Sequence, residues 1–177
     1  MLILKYNSKW INNFELIQKT LLCNLTSCNV SIEHVGSTAI PQLGSKPIID
    51  IDLVYFNLSD FAKIKDHLEK LGYYHNGNQG IVGREVFKRN NADHPILDTI
   101  SHHLYVCHTN SQELQRHLLF RDYLRINEDA RITYENLKLS IALQANQDKK
   151  KYARLKEDQA KHFINGIIEK AEKQLNL

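Results

Sequence analysis

The run KPIIDIDLVYF, residues 46–56, most constrains what this chain can be, because it sets two carboxylates inside its most strand-like segment. Residues two apart in a strand share a face, so Ile48, Asp50, Asp52 and Val54 point one way and Ile49, Ile51 and Leu53 the other. Like charges side by side on a half-buried face repel and lose hydration, which drives at least one of them to protonate. A cation between them removes the difficulty. Carboxylates on alternate strand residues can hold Mg2+ (or Mn2+), an oxygen-seeking ion that leaves positions open for water and substrate phosphates. Two such ions ~4 Å apart clamp the attacking and leaving oxygens of a displacement at phosphorus. The competing arrangement is an acid face that meets solvent, as in many antiparallel sheets, so the Asp-x-Asp pattern by itself decides nothing.

Thirteen positions before Asp50 stands Ser37, in the triplet Gly36-Ser37-Thr38 that follows VSIEHV directly. Gly36 permits a tight turn and close backbone approach, while Ser37 and Thr38 offer hydroxyls and free N–H groups at a helix start. Such a turn is a seat for phosphate. Its plainer use is an N-cap on the short segment TAIPQL. Joined to Asp-x-Asp on the next strand, the turn points to phosphate chemistry: one element for the phosphate tail, its neighbour for the metals. Lys46, just ahead of the strand, adds a cation within reach of the phosphates, although a solvated surface lysine is the commoner use.

The rest of the chain reads as an α+β arrangement. Trp10, Phe14, Ile17, Leu21 and Leu25 recur at helical spacing after Ser8, a candidate N-cap. VSIEHV (30–35) alternates as a strand. Ser59 can cap a helix carrying Phe61, Ile64, Leu68 and Leu71, closed by Gly72. Residues 75–83, HNGNQGIVG, predict a loop or hairpin connection, and REVFKR and TISHHLYVCH two further strands. From Asn110 onward Leu114, Leu118, Leu124, Leu137, Ile141, Tyr152, Leu155, Phe163 and Ile167 mark three helices, breaking near Asn127 and Asp148. The length of 177 residues suits one domain over 1–177, with a sheet core over 1–109 and a helical part over 110–177.

Composition narrows the function classes. Hydrophobic residues make up 42% and charged ones 24%, an ordinary globular balance. No stretch approaches the ~18 apolar residues of a membrane span, and MLILKYNSKW turns polar too soon for a signal peptide. Cys23, Cys28 and Cys107 form no disulfide framework, so a reducing, cytoplasmic setting is expected. A net charge of +3 suits a phosphate-bearing ligand without demanding nucleic acid.

These motifs resemble the polymerase-β-like nucleotidyltransferase superfamily, marked by a hydrophobic residue, Gly, then Gly or Ser, with Asp-hydrophobic-acid on the next strand. More closely, IEHVGSTAIPQLGSKPIIDIDLV resembles the signature of the GrpB family. LGY (71–73), GREVFKR (83–89), SHHLYV (101–106), LLFRDYLR (118–125), Tyr134, Leu137-Lys138, Tyr152 and Lys156 follow in register. The resemblance implies a nucleotidyltransferase-like mixed sheet with flanking helices and a helical C-terminal part. It also implies a family that occurs alone or fused behind dephospho-CoA kinase, where a role in helping that enzyme fold has been suggested.

Two functions follow as expectations. In the first, a nucleotidyl group moves from a nucleoside triphosphate to an acceptor. Asp50 and Asp52 hold Mg2+ (or Mn2+), Gly36, Ser37 and Thr38 seat the phosphates, Lys46 and Arg84 assist, and His103 is the base. In the second, the chain is a non-catalytic nucleotide-binding or docking module, with dephospho-CoA kinase as a partner. The first lacks a third carboxylate on the later strand, which reads His102-His103-Leu104-Tyr105-Val106; Glu85 is the nearest strand acid. His94, His102, His103, Cys107 and His108 have no closed zinc spacing. Arg121 and Arg125, one helical turn apart, suit a phosphate clamp or, as the preferred reading, salt bridges that lock the C-terminal helices onto the sheet. Lys149-Lys150-Lys151 reads as a solvated helix start, and no P-loop is present.

Overall fold

The computed structural model describes residues 1–90 and 92–175. Helix α1 (Lys9–Asn24) leads into strand β1 (Val30–Val35). Ser8 sits at the cap position, but Asn7 Oδ1 takes the Lys9 N–H at 3.0 Å, and no capping bond from Ser8 is found among the described residues. One short 3-10 turn, Ser37–Ala39, separates β1 from β2 (Ile49–Tyr55). Helix α2 (Phe61–Lys70) begins from Asp60 after a second 3-10 turn, so Ser59 lies inside that turn and is not the cap. Gly72 ends α2 as expected, at φ +83°.

Strand β3 (Tyr73–His75) follows at once and pairs antiparallel with β4 (Arg84–Arg89). Sequence reasoning misses β3: three residues show no alternation, and pairing with β4 is what makes them a strand. Strand β5 (His102–His108) then enters the middle of the sheet. The order among the described residues is β1-β2-β5-β4-β3, parallel only between β2 and β5. The sheet is therefore mixed, as expected.

One sheet face is the main core. Ile49, Ile51 and Leu53 of β2, with Leu104 and Val106 of β5, pack against Trp10, Phe14, Ile17 and Leu21 of α1 and against Ile64 and Leu68 of α2. Burying each of these aliphatic side chains contributes about 1.5–3 kcal/mol.

Helices α3 (Gln112–Ile126), α4 (Glu128–Gln144) and α5 (Lys149–Gln174) form the C-terminal half and break at Asn127 and Asp148. Asp148 caps α5 by accepting the Lys151 N–H at 2.7 Å. None of the described helices is long and apolar enough to cross a membrane. The segment after Gly36 ties the helices to the sheet: Ile40 and Leu43 pack with Leu124, Tyr134, Ala160 and Ile167. Arg121 donates to Glu33 at 2.7 Å and to the His34 carbonyl at 3.0 Å, while Arg125 grips the Ala39 carbonyl. The two arginines lock helix to sheet, and their donors are not offered to a phosphate.

Candidate functional site

Register decides which side chains meet. Val35 lies opposite Asp50, which lies opposite His103; Glu33 lies opposite Asp52, which lies opposite Tyr105. Paired residues share a face, so the two acids, His103 and Tyr105 look away from the core toward the helical half. Gly36 makes this possible. Its backbone is at φ +69°, and a Cβ there would stand 2.9 Å from Asp50 Cβ and Cγ and closer still to Oδ2. Only glycine lets the turn lie against the carboxylate.

The two acids have different surroundings. Asp50 is partly exposed and accepts from His103 Nδ1 at 2.9 Å. Asp52 is 0% exposed. Its Oδ2 accepts from His117 Nδ1 at 2.7 Å, and its Oδ1 has no partner among the described residues. Burial pushes the Asp52 carboxyl up, and the His117 hydrogen bond pulls against it. For His117, burial alone would lower the pKa. Its bonds to Asp52 and Glu113 overcome that and raise it to about 9.

A cavity of about 430 Å³ lies between this face and the helices. Ser37, Asp50, His103 and Tyr105 bound it from the sheet side, Glu113, Arg116 and His117 from α3. Three lysines meet there: Lys46 ahead of β2, Lys138 from α4 and Lys156 from α5. Lys138 is 1% exposed and donates to Ser37 Oγ at 3.2 Å and to the Gly44 carbonyl. Burial, reinforced by Lys156, lowers its amine to about 7. Lys156 is held charged by Tyr134, with Tyr152 and Asp50 helping. Lys46 sits 4.8 Å over the Tyr152 ring, its pKa lowered by burial and by Lys156. Ile3, Val35, Ile48, Phe120, Ile164 and Ile168 supply an apolar wall.

Of the residues expected from sequence, Gly36, Ser37, Lys46, Asp50 and His103 come together around this cavity. Thr38 does not: it is buried, hydrogen-bonded to His34 Nε2 at 3.0 Å, and works inside the fold. Arg84 lies beside the cavity with its guanidinium 4.6 Å over the Tyr105 ring. Glu85 pairs with Val106, a core-face residue, and bonds His75 at 2.6 Å on the sheet face opposite the acid pair. It cannot complete an acid triad. Glu113, Arg116, His117, Lys138 and Lys156 were missed as site residues. One signal was available: Lys138 and Lys156 fall on the buried stripes Tyr134-Lys138-Ile141 and Tyr152-Lys156-Ala160, where helical spacing calls for apolar residues.

A mixed sheet with a Gly-Ser turn laid against an Asp-x-Asp strand, backed by a helical half, defines a nucleotidyltransferase-like fold. Cid1 in complex with the UTP analogue UMPNPP shares it at a TM-score of 0.53 and 13% identity, over 81% of this chain and 43% of that one. Residues 1–170 match the GrpB protein family, and the chain belongs to it. The crystal structure of the conserved protein GrpB from Enterococcus faecalis superposes at a TM-score of 0.80 with 29% identity, covering 99% of both chains. The UPF0157 protein YqkA of Bacillus subtilis is 30% identical over 171 residues, or 93% of this chain; the chain spans 48% of YqkA.

The expected two-ion clamp does not fit the donors present. Asp52 is fully covered and already holds His117, β5 sets Tyr105 opposite it, and no three His, Cys, Asp or Glu side chains gather as a metal-holding group among the described residues.

Proposed function

We propose that residues 1–177 act as one unit that binds the phosphate end of a nucleotide, a nucleoside triphosphate being the best fit. The observation that carries this reading is the convergence of Lys46, Lys138 and Lys156, from three separate elements, on one cavity bounded by Ser37. Buried ammonium groups are costly unless an anion meets them, and the lining acids Asp50 and Glu113 are already engaged by His103 and His117. The apolar wall gives the nucleoside a dry surface. Mg2+ (or Mn2+) enters as the ion that a triphosphate carries with it, met by the partly exposed Asp50. The unpaired cysteines keep the cytoplasm as the proposed setting.

Nucleotidyl transfer is a second reading, favoured by the Asp50–His103 contact. His103 is 52% exposed by its side chain and oriented by a carboxylate, the arrangement of a general base. An acceptor hydroxyl would attack the α-phosphorus, the new O–P bond replacing the bond to the bridging oxygen. Pyrophosphate leaves and the proton passes to His103.

Thermal melting with a panel of nucleoside triphosphates, with and without Mg2+, tests the binding reading. A ligand at 100 times its Kd adds about 2.7 kcal/mol of stability. Wild type should shift, and folded Lys138→Met and Lys156→Met should not. No shift with any nucleotide, together with a stable complex with dephospho-CoA kinase, would favour the docking alternative. Label transferred from α-labelled triphosphates by wild type but not by His103→Gln would support the second reading.

A further inference from the structure

Asp52 and Asp50 lie on one strand face with no metal-holding group of three around them among the described residues, so something else must offset their repulsion. The ring of His117 meets a carboxylate at each nitrogen: Asp52 Oδ2 lies 2.7 Å from Nδ1, and Glu113 Oε1 lies 3.4 Å from Nε2. A neutral imidazole has one N–H, and its bare nitrogen would face a carboxylate lone pair to lone pair. With acids on both sides, both nitrogens carry protons. The ring is a cation by geometry.

Every group that faces it agrees with that charge or is neutral. Asp52 faces it from β2 and Glu113 from its own helix, while Tyr105 of β5 stands with ring centroids 6.1 Å away. Arg84 of β4 is the second cation beside Asp52, stacked on the same Tyr105. A divalent ion at Asp52 would have to displace the imidazolium and sit beside the guanidinium.

We infer that the His117 side chain stands where a resident divalent ion would sit on Asp52, so that the chain supplies from α3 the cation its Asp-x-Asp strand requires. His117 is thus a positioning residue. It fixes Asp52, keeps the acid pair from repelling, and leaves Asp50 as the carboxylate that meets the ligand. This deepens the reading of the cavity as a phosphate site and rests on it.

Two probes separate the inference from that reading. Mn2+ alone, titrated into the full chain and followed by electron paramagnetic resonance, tests His117. Wild type should bind it no more tightly than about 1 mM, and His117→Ala, with Asp52 uncovered, at least about tenfold more tightly. Tight Mn2+ binding by wild type that is lost in both His117→Ala and Asp52→Asn would overturn the inference, because His117 would then be a ligand. Should His117→Ala not fold, nitrogen NMR of the wild-type imidazole decides. Two protonated ring nitrogens, unbroadened by Mn2+, support the inference; one bare or strongly broadened nitrogen overturns it. Inorganic tripolyphosphate in EDTA tests the phosphate reading separately. Binding that resists EDTA supports both; binding that requires Mg2+ overturns the inference and keeps the reading. No binding in any condition sinks the reading, and with it the ligand-facing role given to Asp50.

Discussion

Gly36 and Asp50 touch so closely that the turn and the acid strand form one unit: a Cβ at 36 would stand 2.9 Å from Asp50 Cβ and Cγ, at a backbone φ of +69°. Gly36→Ala therefore combines left-handed backbone strain with an overlap at the carboxylate. It should destabilise the chain by about 2–4 kcal/mol in urea unfolding. The same variant should weaken triphosphate binding, because Asp50 and Ser37 move together. A fully stable, fully binding variant would contradict the geometry.

Two groups at the cavity give stability opposite slopes against pH. The folded-state pKa of His117 is raised from 6.5 to about 9, so its contribution is complete below 6.5 and is lost as pH rises through 9. Lys138 is lowered from 10.5 to about 7, so the native state binds fewer protons than the unfolded one between those values. Its effect is a stability that rises with pH across that window. Urea titrations at several pH values should show the falling component vanish in His117→Ala and the rising one vanish in Lys138→Met.

His34 should make the fold acid-sensitive. It is stacked on Phe14 at 4.6 Å and bonded to Thr38, and burial lowers its pKa from 6.5 to about 4. The native state then binds fewer protons between these values, and stability falls as pH drops from 6.5 toward 4. In His34→Gln this step should disappear from the melting profile.

Arg121 should matter more than an ordinary surface arginine. Its guanidinium joins Glu33, Asp122 and the His34 carbonyl. Arg121→Met leaves the carbonyl and Glu33 without their donor and loosens the helical half from β1. Expected is a loss of about 3 kcal/mol, or about 6–12 °C in Tm for a chain of this size. A change within error of zero would show that Arg125 and Ile40 suffice.

What the sequence determined by itself was whatever depends on neighbours along the chain. Strand VSIEHV, the opposed faces of IDIDLVY and the helix breaks at Asn127 and Asp148 follow from alternation, helical spacing and capping chemistry, which act over a few residues. Gly36, Ser37, Lys46, Asp50 and His103 were legible for the same reason: each sits in or beside an element with a local signature. The tertiary structure decided the charge balance. His117 meets Asp52 across 65 positions and Lys138 meets Ser37 across 101, and no local pattern records a partner so far away. Thr38 turned inward because His34 lay beneath it, and Glu85 fell on the other face because β4 pairs with β5 in one register and no other. A one-residue slip would have moved Glu85 to the acid face, and pairing between distant strands, not the residues within one of them, sets that choice.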